Sequence, residues 1–416
     1  GFSPENYNLG YDGAVPANRA LARSLNIPAV RMLSDYGLHR FHRELQLLGI
    51  SGVSQPAEHY GLTLVLGGCE GSLFDIASVY ASMARTVNLY APVLGEIDAN
   101  IQNNFFKLNY LANKKPIQSK QAPVMSAAAC AYTLDALVEV ERPETEVAWS
   151  FFTSDEKIAW KTGTSFGFRD GWAIGVTPKF VVAVWTGNAN GEGRPNLTGL
   201  KASAPILFDV FNFLPNAEQW FSKPKNQVTT AKICSESGFL ASVYCDHTVT
   251  KEIPETGLQS RSCPYHKIIH LNKKETNRIS DKCSKTYEMV SKSWFVLPPA
   301  MEWYYKSKNA AYKELPPFAK GCEPDDDQIP EMEIIYPYKM SNIFIPKELS
   351  GEKGKVVFEI AHRKPETTVY WYVDQDYIGS TQRYHRIMCT PSVGNHVLTL
   401  TDQFGNRLER KFKVSY

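Results

Sequence analysis

Residues 159–166 read AWKTGTSF, a lysine and two hydroxyls around a glycine inside a run with strand character. In a strand, successive side chains alternate, so Lys161 and Gly163 share one face while Thr162 and Thr164 share the other. A glycine there lets another backbone lie close along the strand. The lysine and the hydroxyls could hold a carboxylate, and a main-chain N–H could stabilise an oxyanion. The plainer alternative is an edge strand with polar decoration. A second set lies at Ser24-Leu25-Asn26, within ALARSLNIPAV. By itself it reads as a helix-end serine bonding its own backbone. The same triplet type at Ser307-Lys308-Asn309 is taken as coincidence. What gives the first triplet weight is order: Ser-x-Asn in a helical region, then Lys-Thr-Gly on a later strand.

The elements around these residues follow from periodicity. Residues 17–50 are expected to be helical, with Leu21, Leu25, Val30 and Leu33 on one face and a break at Pro28. Residues 72–87 predict a second amphipathic helix, with Ser72 as N-cap and Asp75 three residues on, a weak capping box. Residues 123–140 predict a third, with Val124, Ala127, Tyr132, Leu134 and Leu137 toward the core. Three strands follow, KIAWKTGTS and then a hairpin turning at Thr177-Pro178-Lys179, apolar along both arms as for a sheet covered on both faces. A closing helix is expected over 202–214. Helices, antiparallel strands and a helix make an α+β domain.

The 416 residues suffice for two or three domains, and 43% hydrophobic with 21% charged residues is an ordinary globular balance. A net charge of +2 gives no reason to expect a nucleic-acid partner. No apolar run is long enough to span a bilayer. Beyond about 223 the periodicity fades and prolines, lysines and cysteines dominate. Cys234, Cys245, Cys263, Cys283 and Cys322 are read as disulfide candidates of an oxidising compartment, in preference to a zinc site built on Cys263-Pro264-Tyr265-His266 with Cys234, Cys245 and Cys283. Cys69 and Cys389 are read as buried free thiols. From Pro330 onward, alternating strands with Gly and Asp/Asn turns suggest a small sandwich. There, Tyr370 and Tyr372 share one face and Trp371 takes the other, a pattern that favours core packing over a ligand-stacking surface.

Together, NRALARSLNIPAV, YGLTLVLGGCEGSLFDIASVYASMA, KTGTSFGFRDGWAIGVTPKFVVAVWTGN and SAPILFDVF resemble the transpeptidase domain of the bifunctional class A penicillin-binding proteins. ICSESGFLASVYC, CPYHKIIHL and WFVLPPAMEWYY, followed by the β module, are similar to one subtype of that family. The resemblance implies three parts: an α+β serine-transpeptidase domain of the β-lactamase-like type, lacking its N-terminal portion, over 1–222; a cysteine-rich linker over 223–329; and an immunoglobulin-like β-sandwich over 330–416. It implies D-Ala–D-Ala acyl transfer through a serine ester. Ser24 would relay a proton to the leaving amine, Asn26 would bond the acyl-donor amide, and Lys161 would support the relay. Thr162, Gly163, Thr164 and Ser165 would bind the substrate or β-lactam, with the Thr164 N–H as an oxyanion donor. Stem peptides, a lipid-linked precursor, β-lactams and envelope proteins are the implied partners, on the periplasmic side of the inner membrane, with no cofactor and no metal. One element departs from the pattern. Ser-x-x-Lys, the nucleophile motif, should precede Ser-x-Asn, but it occurs only at Ser154, Ser222 and Ser350. The nucleophile, a glycosyltransferase domain and a membrane anchor are therefore expected upstream of Gly1, and the chain alone is expected to be inactive.

Overall fold

A computed structural model of the chain describes residues 4–6, 10–90, 105–109, 111, 124–140, 157–324, 329–339, 341–345 and 354–415. The first helical region forms three helices, α1 (Ala17–Ala22), α2 (Asn26–Tyr36) and α3 (Leu38–Leu47). The break expected at Pro28 falls instead at residues 23–25. Pro28 sits in the first turn of α2, where a missing N–H costs nothing, while Ser24 takes a left-handed φ of 53°. Leu25, Val30 and Leu33 are buried as expected, but Leu21 is exposed.

After the short α4 (Ala57–Tyr60), two longer helices form, α5 (Leu73–Tyr90) and α6 (Ala127–Val138). Ser126 caps α6, accepting from the Ala129 N–H at 3.1 Å. Strands β1 (Ala159–Thr164), β2 (Asp170–Val176) and β3 (Val181–Gly187) pair antiparallel in that order. The turn between β2 and β3 closes where expected, with Thr177 N–H donating to the Phe180 carbonyl at 2.9 Å. Helix α7 (Ala204–Phe213) is preceded by a π-helical turn over Gly199–Ser203, which the sequence pattern did not announce.

This sheet is covered on both faces. Ala159 and Val176 pack with Met83 and Val87 of α5 and Leu134 of α6. Trp160 and Ala173 pack on the other side with Leu207, Phe208 and Phe211 of α7. With apolar packing on both faces, both kinds of strand position are largely apolar, and the alternation of a half-exposed sheet is missing.

The cysteine-rich stretch is not without regular structure. It holds two hairpins, β4 (Val228–Cys234) with β5 (Thr248–Pro254) and β6 (His266–Leu271) with β7 (Val290–Phe295), then α8 (Pro299–Lys308). They escape a periodicity reading because β5 is exposed along most of its length and has no apolar face to repeat. Of the cysteines expected to pair, Cys283 and Cys322 are bonded, with Cα atoms 5.2 Å apart. Cys234, Cys245 and Cys263 correct that expectation: they are unbonded and drawn together around His266. Cys69 and Cys389 are free and half-buried.

The final region has two sheets. One orders β13 (Arg386–Cys389), β10 (Val356–His362) and β8 (Met332–Tyr336). The other orders β12 (Asp376–Thr381), β11 (Val369–Val373), β14 (Gly394–Asp402), β15 (Arg407–Ser415) and β9 (Asn342–Phe344). Both contribute to one core around Phe358, Trp371, Leu398, Leu400 and Phe412. Trp371 is fully buried and its neighbour Tyr370 is exposed, as strand alternation requires. Arg363 of this region pairs with Glu302 of α8 and donates to the Leu297 carbonyl at 2.7 Å, and Arg278 meets Glu331 at 3.2 Å. No helix among the described residues is long and apolar enough to cross a membrane.

A buried carboxylate paired with an exposed lysine fixes the start of α5. Ser72 Oγ caps the helix by accepting from the Asp75 N–H at 3.0 Å. The Asp75 carboxylate also reaches beyond the cap. It accepts from the Ser51 N–H at 3.2 Å and the Ser51 hydroxyl at 2.5 Å, and pairs with Lys107 at 2.5 Å. Burial alone would raise its pKa; the Lys107 and Ser51 contacts outweigh that and hold it at about 2. A carboxylate depressed in the folded state stabilises above its unfolded pKa and loses that contribution as pH falls through the folded value. Asp75→Asn is expected to cost about 2 kcal/mol at pH 7, and the gap to wild type should close between about pH 4 and pH 2. Urea denaturation across that range measures it; a pH-independent gap would contradict the assignment.

Candidate active site

Ser24 is placed by the corner between α1 and α2. The Ser24 N–H donates to the Leu21 carbonyl and the Leu25 N–H to the Ala20 carbonyl, each at 3.0 Å, closing the turn. A non-glycine residue at positive φ is uncommon. Here that conformation turns the Ser24 hydroxyl toward β1, where it accepts a hydrogen bond from Lys161 Nζ. The same ammonium donates to the Thr162 carbonyl at 2.9 Å. Burial between the helices and the sheet lowers the Lys161 pKa from its ordinary value, so its proton is given up more readily than that of a surface lysine. The structure thus joins two sequence motifs 137 residues apart into one hydrogen-bonded pair.

Asn26, the first residue of α2, donates its side-chain amide to the Glu5 carbonyl at 2.8 Å. That bond ties the segment before α1 to the corner that carries Ser24. The Ile27 N–H adds a second tie, to Asn6 Oδ1 at 3.2 Å.

The two threonines face away from Lys161, as strand alternation demands. Thr164 Oγ1 accepts from the Gly199 N–H at 3.1 Å, anchoring the π-helical turn to the end of β1. One of its lone pairs is used there, and its proton remains available to an incoming acceptor. Gly163 lies opposite Trp172 on β2. Ser165 closes the loop that follows: its hydroxyl accepts from the Asp170 N–H at 2.8 Å, and its own N–H donates to the Asp170 carbonyl at 3.0 Å. Its placement is that of a loop-closing residue. β1 is an edge strand of the three-stranded sheet, so its outer margin presents backbone groups to which an extended peptide can pair.

Pattern reading missed the support behind this edge. Gly199 approaches so closely that a Cβ there would lie 2.4 Å from the Gly163 carbonyl oxygen and 2.3 Å from that of Trp172. Ser203, fully buried at the end of the same turn, shares a 2.8 Å hydrogen bond with Thr186 of β3. The available signal was the glycine in TGLKASAP ahead of a helix, which reads as an ordinary loop residue. Of the Ser-x-x-Lys serines, Ser222 is exposed in a segment without regular structure, while Ser154 and Ser350 lie outside the described residues.

The site is thus a hydrogen-bonded lysine–serine pair beside a strand edge, with helices packed on both faces of the sheet. The chain is similar to several penicillin-binding proteins. It is 28% identical over 348 residues to penicillin-binding protein 1C of Escherichia coli (strain K12), an alignment covering 79% of this chain and 41% of that protein. Penicillin-binding protein 1B of Haemophilus influenzae is 28% identical over 211 residues, 51% of this chain and 26% of that one. Residues 323–412 match the Penicillin-Binding Protein C-terminus Family. Among solved structures, penicillin-binding protein 1A from Haemophilus influenzae superposes with a TM-score of 0.46 at 18% identity, covering 63% of this chain and 43% of that one. The chain thus spans less than half the length of these relatives.

Gly199→Ala tests the support behind β1. Two carbonyl oxygens occupy the space its methyl needs, so a loss of about 1–3 kcal/mol is expected in chemical denaturation. Unchanged stability would mean that the turn does not pack against β1 as described.

Proposed function

We propose that residues 1–222 supply the lysine-bearing wall of a D-Ala–D-Ala transpeptidase site in a peptidoglycan synthase. The observation that carries this reading is the hydrogen bond from Lys161 Nζ to Ser24 Oγ, beside the Thr162-Gly163-Thr164 edge. In acyl transfer, a serine attacks the peptide carbonyl, D-Ala leaves as an amine that must gain a proton, and a second amine must lose one when it takes the acyl group. Ser24, held by a lysine of lowered proton affinity, is suited to carry a proton each way. The substrate would lie as an added strand along β1, with its carboxylate toward the hydroxyls and its oxyanion on the Thr164 N–H. A β-lactam would enter the same way and remain as an ester.

The nucleophile in this reading is a serine outside residues 1–416. The proposal extends to a parent protein that also polymerises glycan from a lipid-linked precursor, works on the periplasmic face of the inner membrane, and meets envelope proteins through residues 330–416. A second reading is a non-catalytic sensor of muropeptides or β-lactams on the same fold, which would acylate but join no stem peptides.

Two measurements test the proposal. The 416-residue chain incubated with fluorescent penicillin should yield no adduct that survives denaturation. In a longer chain that does acylate, Lys161→Ala should slow acylation by about 10²–10⁴-fold. An unchanged rate would remove Lys161 from the chemistry. A protein that acylates normally but joins no stem peptides would favour the sensor.

A further inference from the structure

The group formed by Cys234, Cys245, Cys263 and His266 has no part in the acyl-transfer site. Cys234 ends β4, Cys245 lies in the following turn, Cys263 precedes β6, and His266 is its first residue. Their ligand atoms all lie within 4.8 Å of one another, with Cys234, Cys263 and His266 buried and Cys245 half-buried. His266 Nδ1 stands 3.6, 3.6 and 3.4 Å from the sulfurs of Cys234, Cys245 and Cys263. One nitrogen has one lone pair, so it cannot accept from three thiols at once. Nor can three cysteines pair among themselves without leaving one over.

We propose that these four residues bind one zinc ion and that the ion is a structural part of the module. Zinc takes thiolates at about 2.3 Å and imidazole at about 2.0 Å in a tetrahedron, which sets sulfur–nitrogen edges of about 3.5 Å. The observed separations match those edges. The surroundings also fit. His266 Nε2 meets Glu236 Oε2 at 2.8 Å, the carboxylate partner that fixes a ligating histidine with its other nitrogen free. The Ser237 N–H donates to Cys234 Sγ at 3.4 Å, the Ser242 N–H to Cys245 Sγ at 3.3 Å, and the Ser237 hydroxyl to Cys263 Sγ at 3.1 Å. Such donors hold thiolate charge where burial would oppose it. All four positions are filled by protein, which marks a structural site and not a catalytic one.

The ion has work to do there. The β4–β5 hairpin buries little apolar surface, and zinc joins its end to the start of β6 where a larger module would use a core. That hairpin in turn braces α6: Tyr132 donates to the Glu252 carbonyl at 2.7 Å, and Gln227 Oε1 accepts from the Ala128 N–H at 3.0 Å. In place of the disulfides expected for Cys234, Cys245 and Cys263, the module would then hold one disulfide and one zinc.

Metal analysis of the 416-residue chain, expressed with zinc in the medium, should find one equivalent per chain. Cobalt in its place should give the intense visible bands of a tetrahedral thiolate site. Glu236→Gln keeps all four ligands and should fold, yet bind zinc about 10–100-fold more weakly in competition with a chelator. Cys263→Ser combined with His266→Ala should abolish stoichiometric binding. The proposal fails if the double variant retains the metal. It fails equally if the native chain carries no metal and, once denatured, titrates two fewer thiols than its six unbonded cysteines, which would mean that two of the three have paired.

Discussion

A lysine drawn out of water sets the terms for this site. Lys161 lies on a strand whose sheet is covered on both faces, so its charge must be met by protein groups or weakened by proton loss. The Ser24 hydroxyl and the Thr162 carbonyl meet it. For Ser24 to do so, the chain must turn sharply between α1 and α2, and Ser24 must adopt a backbone conformation that few non-glycine residues take. The helix break, the segment bonded to Asn26 and the close approach of Gly199 behind the strand all serve to keep one cation and one hydroxyl in register.

The rest of the molecule is tied to that corner. Arg23, next to Ser24, pairs with Asp12 at 2.8 Å, and Asp12 also pairs with Lys308 on α8. Tyr11 stacks on Tyr304 of the same helix with centroids 4.9 Å apart. Helix α8 is joined through Glu302 to Arg363 in the final β region. A path of charged and aromatic contacts therefore runs from the serine corner through the cysteine-rich module to the C-terminal sheets. These contacts converge on α8.

Legibility in the sequence followed burial. The α5 and α6 helices, the three central strands and the β2–β3 turn were readable because apolar periodicity and turn residues dominate there. The lysine and serine were readable as chemistry, although nothing in a one-dimensional pattern could say that they touch. The helix break falls before Pro28 and not at it because a proline in the first turn suits a helix. The β4–β5 hairpin of the cysteine-rich region is hard to read because β5, exposed along most of its length, has no apolar face to repeat. The three clustered cysteines were misassigned because spacing does not reveal convergence. The π-helical turn at Gly199 was missed because its cause, two carbonyls with no room for a methyl, exists only in three dimensions.

The central claim is that Ser24 and Lys161 move protons for a nucleophile that lies elsewhere. Peptide mapping by mass spectrometry, on a penicillin-treated longer protein that contains this chain, tests it most directly. The account predicts that the acyl group sits on a serine outside residues 1–416, with Ser24 unmodified. An adduct on Ser24, or on any other serine within these residues, would contradict it.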